Sequence, residues 1–398
     1  MNQTVFLNRG KESIVKMRHP WIFSGALKGG KNCAEEGAVV SVKSENEETL
    51  GVGHFQQSSI AVRLLSFTDE AIDEGFYRKK LEAAWNNRLK CGFEYGDNNN
   101  CFRWVNGEGD GLPGLIIDRY GAMIVLQFHS VGMYLQRMEI AAAARSVFPG
   151  EIEAVYLMPT TAVHERVPSA EEGFISGDQN DGFPVSENGM RFLVHPNKGQ
   201  KTGFFVDQRD NRALVKQLAK DKRVLNAFSY SGGFSIAALQ GGAKKATSVD
   251  VSEYAAELCE QHLELNGYHS DSQPVIVSDV MKYLSKTEEA FDLIILDPPA
   301  FAKSRKKSHN AVQAYKRLNA LAMKKIEEGG LIFTFSCSQV IHDKLFEDTV
   351  RAAAMEANRD IKLIRKLGPG IDHPVNIFHP EGHYLKGILL VVGDKLGG

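Results

Sequence analysis

The stretch Phe291 to Phe301, FDLIILDPPAF, constrains the fold of this chain more than any other. Its apolar run Leu293 to Leu296 is short, β-branched in the middle and bounded by Asp292 and a double proline, the pattern of a strand buried in a parallel sheet. Such a strand delivers the residues after it to the carboxyl edge of the sheet, where open α/β sheets bind ligands. Asp297, Pro298 and Pro299 are therefore expected in a cleft, two ring-locked residues stiffening the backbone around one carboxylate. A rigid acid suits a flat heterocycle. Asp-Pro-Pro alone reads equally well as a strand stop and turn, but a second buried strand, Gly330 to Phe335, ends in Ser336-Cys337-Ser338. If the two strands lie side by side, the Cys337 thiol comes near Asp297, and Asp297, Pro298 and Cys337 form the expected catalytic site.

From Arg223 the order is strictly alternating. Val224–Asn226, Lys245–Val249, Val275–Val277, Phe291–Leu296 and Leu331–Phe335 read as five strands, with helices over Ser235–Gln240 and Tyr254–Asn266. This is the signature of a doubly wound α/β domain. The turn after its first strand, Asn226-Ala-Phe-Ser-Tyr-Ser-Gly-Gly-Phe, lacks the Gly-x-Gly-x-x-Gly that brings a dinucleotide pyrophosphate against the backbone, which disfavours a nicotinamide cofactor. Asp250 ends the second strand, where a carboxylate can accept both ribose hydroxyls, and Asp279 ends the third, where it can accept from an adenine amino group. One such acid alone is more often a helix cap. Acids ending three strands on one edge suit S-adenosylmethionine.

A chain of 398 residues, 43% hydrophobic and 24% charged, has room for two or three cores. No apolar run approaches the roughly 20 residues needed to span a bilayer, and Arg9, Lys11 and Lys16 are not succeeded by a signal-type apolar core, so no membrane and a cytoplasmic location are expected. The five scattered cysteines suit a reducing compartment, and neither they nor the 12 histidines show metal-ligand spacing, so no metal is expected.

The net charge is only −2, yet it is unevenly placed: residues 1 to 31 carry six Lys or Arg against Glu12, and residues 300 to 325 carry eight against no acid. Most charge runs are solvated faces. Eight uncompensated positives beside the expected site, Lys303, Arg305, Lys306, Lys307, Lys316 and Arg317 with Lys324 and Lys325, favour a polyanionic substrate held by its phosphates.

Residues 1–70 show short β-rich runs broken by glycine and read as a small barrel, with His19-Pro20-Trp21 a turn carrying a core tryptophan. Residues 71–185 read as an α+β insert. A helix lies within Asp69–Cys91, a hairpin surrounds the glycine-rich Asn106–Gly114, strands come next at Met123–Phe128 and Ala154–Met158, and a helix spans Tyr134–Val147. Polar, glycine-rich Glu165–Val185 reads as linker, and residues 186–398 complete the α/β domain. Lys198 to Asp210 packs Phe204 and Phe205 between charges, before an amphipathic helix at Leu214–Leu218, and suggests a lid over a cofactor.

Val224–Gly233, Asp250, Asp279, Asp297-Pro-Pro299 and Ser336-Cys-Ser338, together with Lys201-Thr-Gly-Phe-Phe-Val-Asp-Gln-Arg209, Asp372-His-Pro-Val and Pro380-Glu-Gly-His-Tyr-Leu-Lys-Gly387, resemble the RlmI-type methyltransferases, which make 5-methylcytosine in large-subunit (23S) ribosomal RNA. The resemblance covers nearly the whole chain. It implies a PUA domain at the N-terminus, marked by His19–Gly25, then an insert domain and a Rossmann-like methyltransferase domain. It also implies S-adenosyl-L-methionine held by Phe204, Asp207, Gln208, Asn226, Phe228, Ser229, Tyr230, Gly232, Gly233, Asp250, Asp279 and Asp297. Ribosomal RNA is the implied partner, and a homodimer is compatible with it. Ala300 stands where some members carry lysine, and the Asp-Pro-Pro strand lacks the second cysteine that other cytosine methyltransferases use in product release. One thiol must then serve for attack, and another base must remove the ring proton. Two alternatives stay open. An adenine-N6 methyltransferase usually has an aromatic after the prolines and needs no cysteine; a non-catalytic RNA-binding ribosome-assembly factor would be expected to lose the cofactor acids.

Overall fold

The computed structural model describes residues 3–177, 182–302 and 305–396. The chain forms two compact units, Met1–Ser186 with Leu193–Val206 and Ile371–Gly382, and Glu187–Phe192 with Asp207–Gly370 and His383–Gly398. Among the described residues no helix is long and apolar enough to cross a membrane.

In the first unit, strands Gln3–Phe6, Val39–Lys43, Thr49–Phe55, Ile60–Ser66 and Trp21–Phe23 hydrogen-bond in that order. Val5, Ile22, Val40, Val42, Phe55, Val62 and Leu64 fill the core of this sheet. Leu65, next to Leu64, turns instead into the neighbouring core, so alternation along this strand serves two cores. Trp21 is half-buried rather than a core residue. Its indole N–H needs an acceptor, and donates to Glu108 Oε1 at 2.8 Å, while the ring meets His379 edge-on at 4.3 Å.

A second five-stranded sheet has the order Gly173–Ser176, Ala154–Pro159, Met123–Phe128, Leu115–Tyr120, Cys101–Asn106. Its core includes Leu81 of helix Glu74–Lys90 and Ile140 of helix Arg137–Val147. The helix expected over Tyr134–Val147 is two, Val131–Leu135 and Arg137–Val147, because Gln136 leaves helical geometry at φ −94°, ψ 15°. The expected linker also needs correction. It contains the four-residue strand Gly173–Ser176, which among the described residues forms the edge of the sheet against Ala154–Pro159, and an edge strand this short leaves little periodic signal in the sequence.

The glycine-rich turn after Asn106 closes on a buried ion pair. Arg88 Nη1 and Nη2 donate to the Asp110 carboxylate at 2.5 and 2.7 Å, and Nη2 also donates to the Asp372 carbonyl at 2.8 Å. Both pair members are essentially solvent-free, with side-chain exposures of 1% and 0%. Arg88→Ala is expected to destabilise the protein by roughly 3–5 kcal/mol because it leaves Asp110 charged, buried and unpaired. Denaturant unfolding measures this, and a loss below about 1 kcal/mol would refute it.

The second unit is built on a seven-stranded sheet ordered Val275–Val277, Lys245–Asp250, Arg223–Ala227, Phe291–Leu296, Ile326–Ser336, Lys386–Lys395, Arg359–Leu367. The five strands expected from sequence are its parallel portion. Two more close one side antiparallel. Arg359–Leu367, RDIKLIRKL, is a largely exposed edge strand whose charges hide its strand character. The strand order reverses between Arg223–Ala227 and Phe291–Leu296, so the crevice of this doubly wound sheet opens at the ends of those two strands.

Candidate active site

Register fixes which strand ends meet. Ala227 pairs with Val249 on one side and Leu296 on the other, and Leu296 pairs with Thr334. Because these strands are parallel, the turn after Ala227, Asp250, Asp297 and Cys337 all emerge on one edge. The Asp297 N–H points to the Ala227 carbonyl at 3.5 Å.

The turn after Ala227 is tightly wound: Phe228, Tyr230 and Gly232 have φ of 61°, 44° and 77°. Asp250 holds it, its Oδ2 accepting from the Tyr230 N–H at 2.9 Å and its Oδ1 from the Ser252 N–H at 3.0 Å. Gly232 is required twice over: its φ is left-handed, and a Cβ there would run into Cys259 Sγ. Cys259 is a buried core thiol whose pKa burial pushes up to about 12. Asn226 Nδ2 donates to Ser235 Oγ at 2.9 Å, while Asn226 Oδ1 and Ser229 Oγ are buried with no hydrogen-bond partner among the described residues.

Asp279 is exposed and caps helix Val280–Lys286, accepting from the Lys282 N–H at 2.8 Å. Its local task is thus the common one for an aspartate ahead of a helix. Asp207 and Gln208 are buried at the entry to helix Arg209–Leu218, whose start lies well before the expected Leu214. Asp207 Oδ2 accepts from Tyr384 Oη at 2.6 Å, and Gln208 Oε1 from Asn211 Nδ2 at 2.6 Å. Phe204 belongs to the first unit, where its carbonyl accepts from Tyr120 Oη at 3.3 Å. The boundary between the two units thus falls inside this segment, after Val206.

On the other side of the crevice Asp297 is half-buried, Pro298 buried and Pro299 exposed. Cys337 Sγ lies 4.0 Å from the Pro298 carbonyl oxygen. The flanking serines pin the loop that carries it: Ser336 Oγ bonds Tyr315 Oη at 3.0 Å, and Ser338 Oγ donates to the Ala302 carbonyl at 2.5 Å. Burial raises the Tyr315 phenol, so it stays protonated. Sequence reasoning missed Tyr315 and also Lys386, whose buried amine donates to the Ser338 carbonyl at 2.9 Å. The lysine sits inside the Pro380–Gly387 segment, a signal that pointed at the residue but not at its place.

The basic run separates into parts. Lys303 and the Arg305 side chain lie outside the described residues; Lys306, Lys307 and Arg317 are exposed. Lys316 pairs with Glu356 at 2.9 Å, so it is not uncompensated. Lys324 and Lys325 end the 18-residue helix Ser308–Lys325, which puts them about 27 Å along it from Lys307 and at the sheet edge opposite Cys337.

Residues 159–366 match the model of S-adenosylmethionine-dependent methyltransferases, and residues 5–67 match a PUA-like domain. Ribosomal RNA large subunit methyltransferase I of Klebsiella pneumoniae is 37% identical over 388 residues, 96% of each chain. The chain belongs to this methyltransferase family. The ribosomal RNA large subunit methyltransferase I of Alteromonas mediterranea is 38% identical, over 99% of this chain and 100% of the relative. A crystallised methyltransferase in complex with SAH shares 25% identity and superposes with a TM-score of 0.83 over 98% of this chain and 100% of its own.

S-adenosylmethionine is the cofactor of this methyltransferase. The residues at the strand ends suit it. The buried Asn226 Oδ1 and Ser229 Oγ await polar partners, and the half-buried Asp250 carboxylate keeps lone pairs beyond its two backbone bonds for hydroxyl donors.

Proposed function

We propose that this methyltransferase acts on carbon 5 of a cytosine in large-subunit ribosomal RNA, with Cys337 as nucleophile. The observation that carries this reading is the Cys337 sulfur 4.0 Å from the Pro298 carbonyl, at the end of the strand next to Asp297. The relatives' names supply the RNA class. The domain limits that accompany it are 1–70 for the PUA-like module, 71–185 for the insert and 186–398 for the methyltransferase domain.

Carbon 5 of cytosine is a weak nucleophile. Addition of the Cys337 thiolate to carbon 6 turns the ring into an enamine, and carbon 5 then carries the electron density needed for alkylation. Bound S-adenosylmethionine supplies an electrophilic sulfonium methyl. Asp297 holds N3 and the exocyclic amine of the base and offsets charge that develops on the ring. Loss of the carbon 5 proton and departure of the thiolate restore the aromatic ring. The target base has to leave its stack to reach the crevice, which favours a single-stranded or loosened RNA segment. Asn226, Phe228, Ser229, Tyr230, Gly232, Gly233 and Asp250 hold the cofactor on the neighbouring strand end, with Asp207, Gln208 and Asp279 around it.

Mass spectrometry of nucleosides from ribosomal RNA, with and without the gene, tests the assignment. Loss of one 5-methylcytosine is expected. Loss of N6-methyladenine with 5-methylcytosine unchanged would replace the cytosine reading.

The exposed Lys306, Lys307 and Arg317 are assigned to RNA phosphates, together with Lys303 and Arg305 and with Lys316 in a lesser part because of Glu356. Replacing Lys306, Lys307 and Arg317 by alanine should flatten the log–log salt dependence of RNA binding by about 2, at roughly 0.7 per single-strand phosphate contact, and leave cofactor affinity unchanged. An unchanged slope, measured by filter binding at several salt concentrations, would return this face to solvent.

A further inference from the structure

Lys386 is the most unusual charged residue of the second unit. It opens strand Lys386–Lys395, pairs in register with Ser336, and is only 3% exposed. Its amine donates to the Ser338 carbonyl at 2.9 Å, and among the described residues it forms no ion pair. Register to the residue before Cys337 and a hydrogen bond to the residue after it bracket the thiol from one side. A buried ammonium without a carboxylate is costly, and proteins rarely keep one unless a negative charge is placed to meet it.

We propose that the Lys386 ammonium is the counter-charge of the Cys337 thiolate, a positioning residue that keeps the nucleophile ionised. This deepens the cytosine reading and rests on Cys337 being the nucleophile. The step balances simply: the S–H bond breaks, the proton leaves to water, the electron pair stays on sulfur, and the neighbouring ammonium offsets the new charge. A lysine is suited to this because its ammonium is a compact point charge on a flexible stem.

Among the described residues, the other charged and titratable groups with contacts near Lys386 have these roles. Asp297, on the adjacent strand end, has the opposite sign. Tyr315, under Ser336, is held protonated by burial. Asp343 is exposed and lies 3.4 Å from His383, and Lys366 is taken up by Glu347 at 2.7 Å. Burial is the larger effect and holds the Lys386 pKa below the usual lysine value, while Asp343 first and then Cys337 act in the opposite direction.

The test is the pH profile of Cys337 alkylation by iodoacetamide in the full chain, read by mass spectrometry of the Cys337 peptide so that the other four cysteines do not interfere. Lys386→Gln keeps a donor for the Ser338 carbonyl but removes the charge. Its profile should move to higher pH by about one unit, a roughly tenfold slower reaction at neutral pH, while Lys386→Arg should stay near wild type. Retained S-adenosylhomocysteine binding verifies that the variants are folded; should the glutamine variant fail this, Lys386→Met takes its place with the same expected shift. An unshifted profile in the uncharged variant, or an equal shift in Lys386→Arg, would overturn the proposal. These outcomes need no RNA, so they are separate from failure of the cytosine reading, which appears as methylation by Cys337→Ala.

Discussion

Cys337→Ala is expected to lose methyl transfer by roughly three orders of magnitude or more, as removal of a catalytic nucleophile does in other enzymes, while keeping its fold and its cofactor. The fold should survive because Cys337 is half-buried and the exchange of its sulfur for hydrogen removes about 1 kcal/mol of packing at most. The loop is held instead by Ser336 on Tyr315 and by Ser338 on Ala302. The cofactor should survive because its proposed holders lie on the neighbouring strand ends, around Asn226 and Asp250. Calorimetry with S-adenosylhomocysteine, run beside a methylation assay on ribosomal RNA, separates the two effects. Equal loss of binding and of turnover would mean that Cys337 acts through the structure of the crevice and not through its sulfur.

Asp250→Ala should have the opposite signature. The carboxylate ties down the Tyr230 and Ser252 N–H groups. Without it a turn that holds Phe228 and Tyr230 at positive φ loses its main brace, and each such residue costs of order 1–2 kcal/mol to keep in that conformation. Loss of the brace and of the hydroxyl acceptor together should weaken cofactor binding about 100-fold or more, on the scale of two charge-assisted hydrogen bonds. Asp250→Asn, which keeps one acceptor oxygen, should fall between. Wild-type affinity in Asp250→Ala would remove this residue from the cofactor site.

The α/β unit was legible in the sequence for a specific physical reason. Strands buried on both faces, such as Val224–Asn226 and Phe291–Leu296, have to be apolar runs, and the turns that end them need glycine or proline. The adjacency of Asp297 and Cys337 came from those strands, since neighbouring parallel strands end on the same edge. Edge strands carry no such obligation. Gly173–Ser176 is only four residues long within a polar, glycine-rich stretch, and Arg359–Leu367 is a largely exposed strand interrupted by charged residues. Trp21 was misplaced because an indole with a half-buried ring and an acceptor such as Glu108 has the same local sequence as a core tryptophan. Lys386 was not singled out for a different reason: although it lies in the Pro380–Gly387 segment, nothing in a sequence distinguishes a buried lysine from a solvated one until the register sets it opposite Ser336. Conversely, the basic run read as one patch is spread along a helix of five turns, so charge adjacent in sequence did not mean charge at one rim.

The central claim is a covalent bond between Cys337 and carbon 6 of a cytosine, and RNA carrying 5-fluorocytosine at the target tests it most directly. Fluorine cannot leave carbon 5 as a proton does, so an adduct that has been methylated cannot eliminate the thiolate. Incubated with this RNA and S-adenosylmethionine, the wild-type protein should give a slowly migrating protein–RNA band that resists denaturation, and peptide mapping should place the nucleotide on Cys337. Cys337→Ala should give no band. Absence of a band from the wild-type protein while it methylates normal RNA, or a band that survives the alanine substitution, would contradict the account.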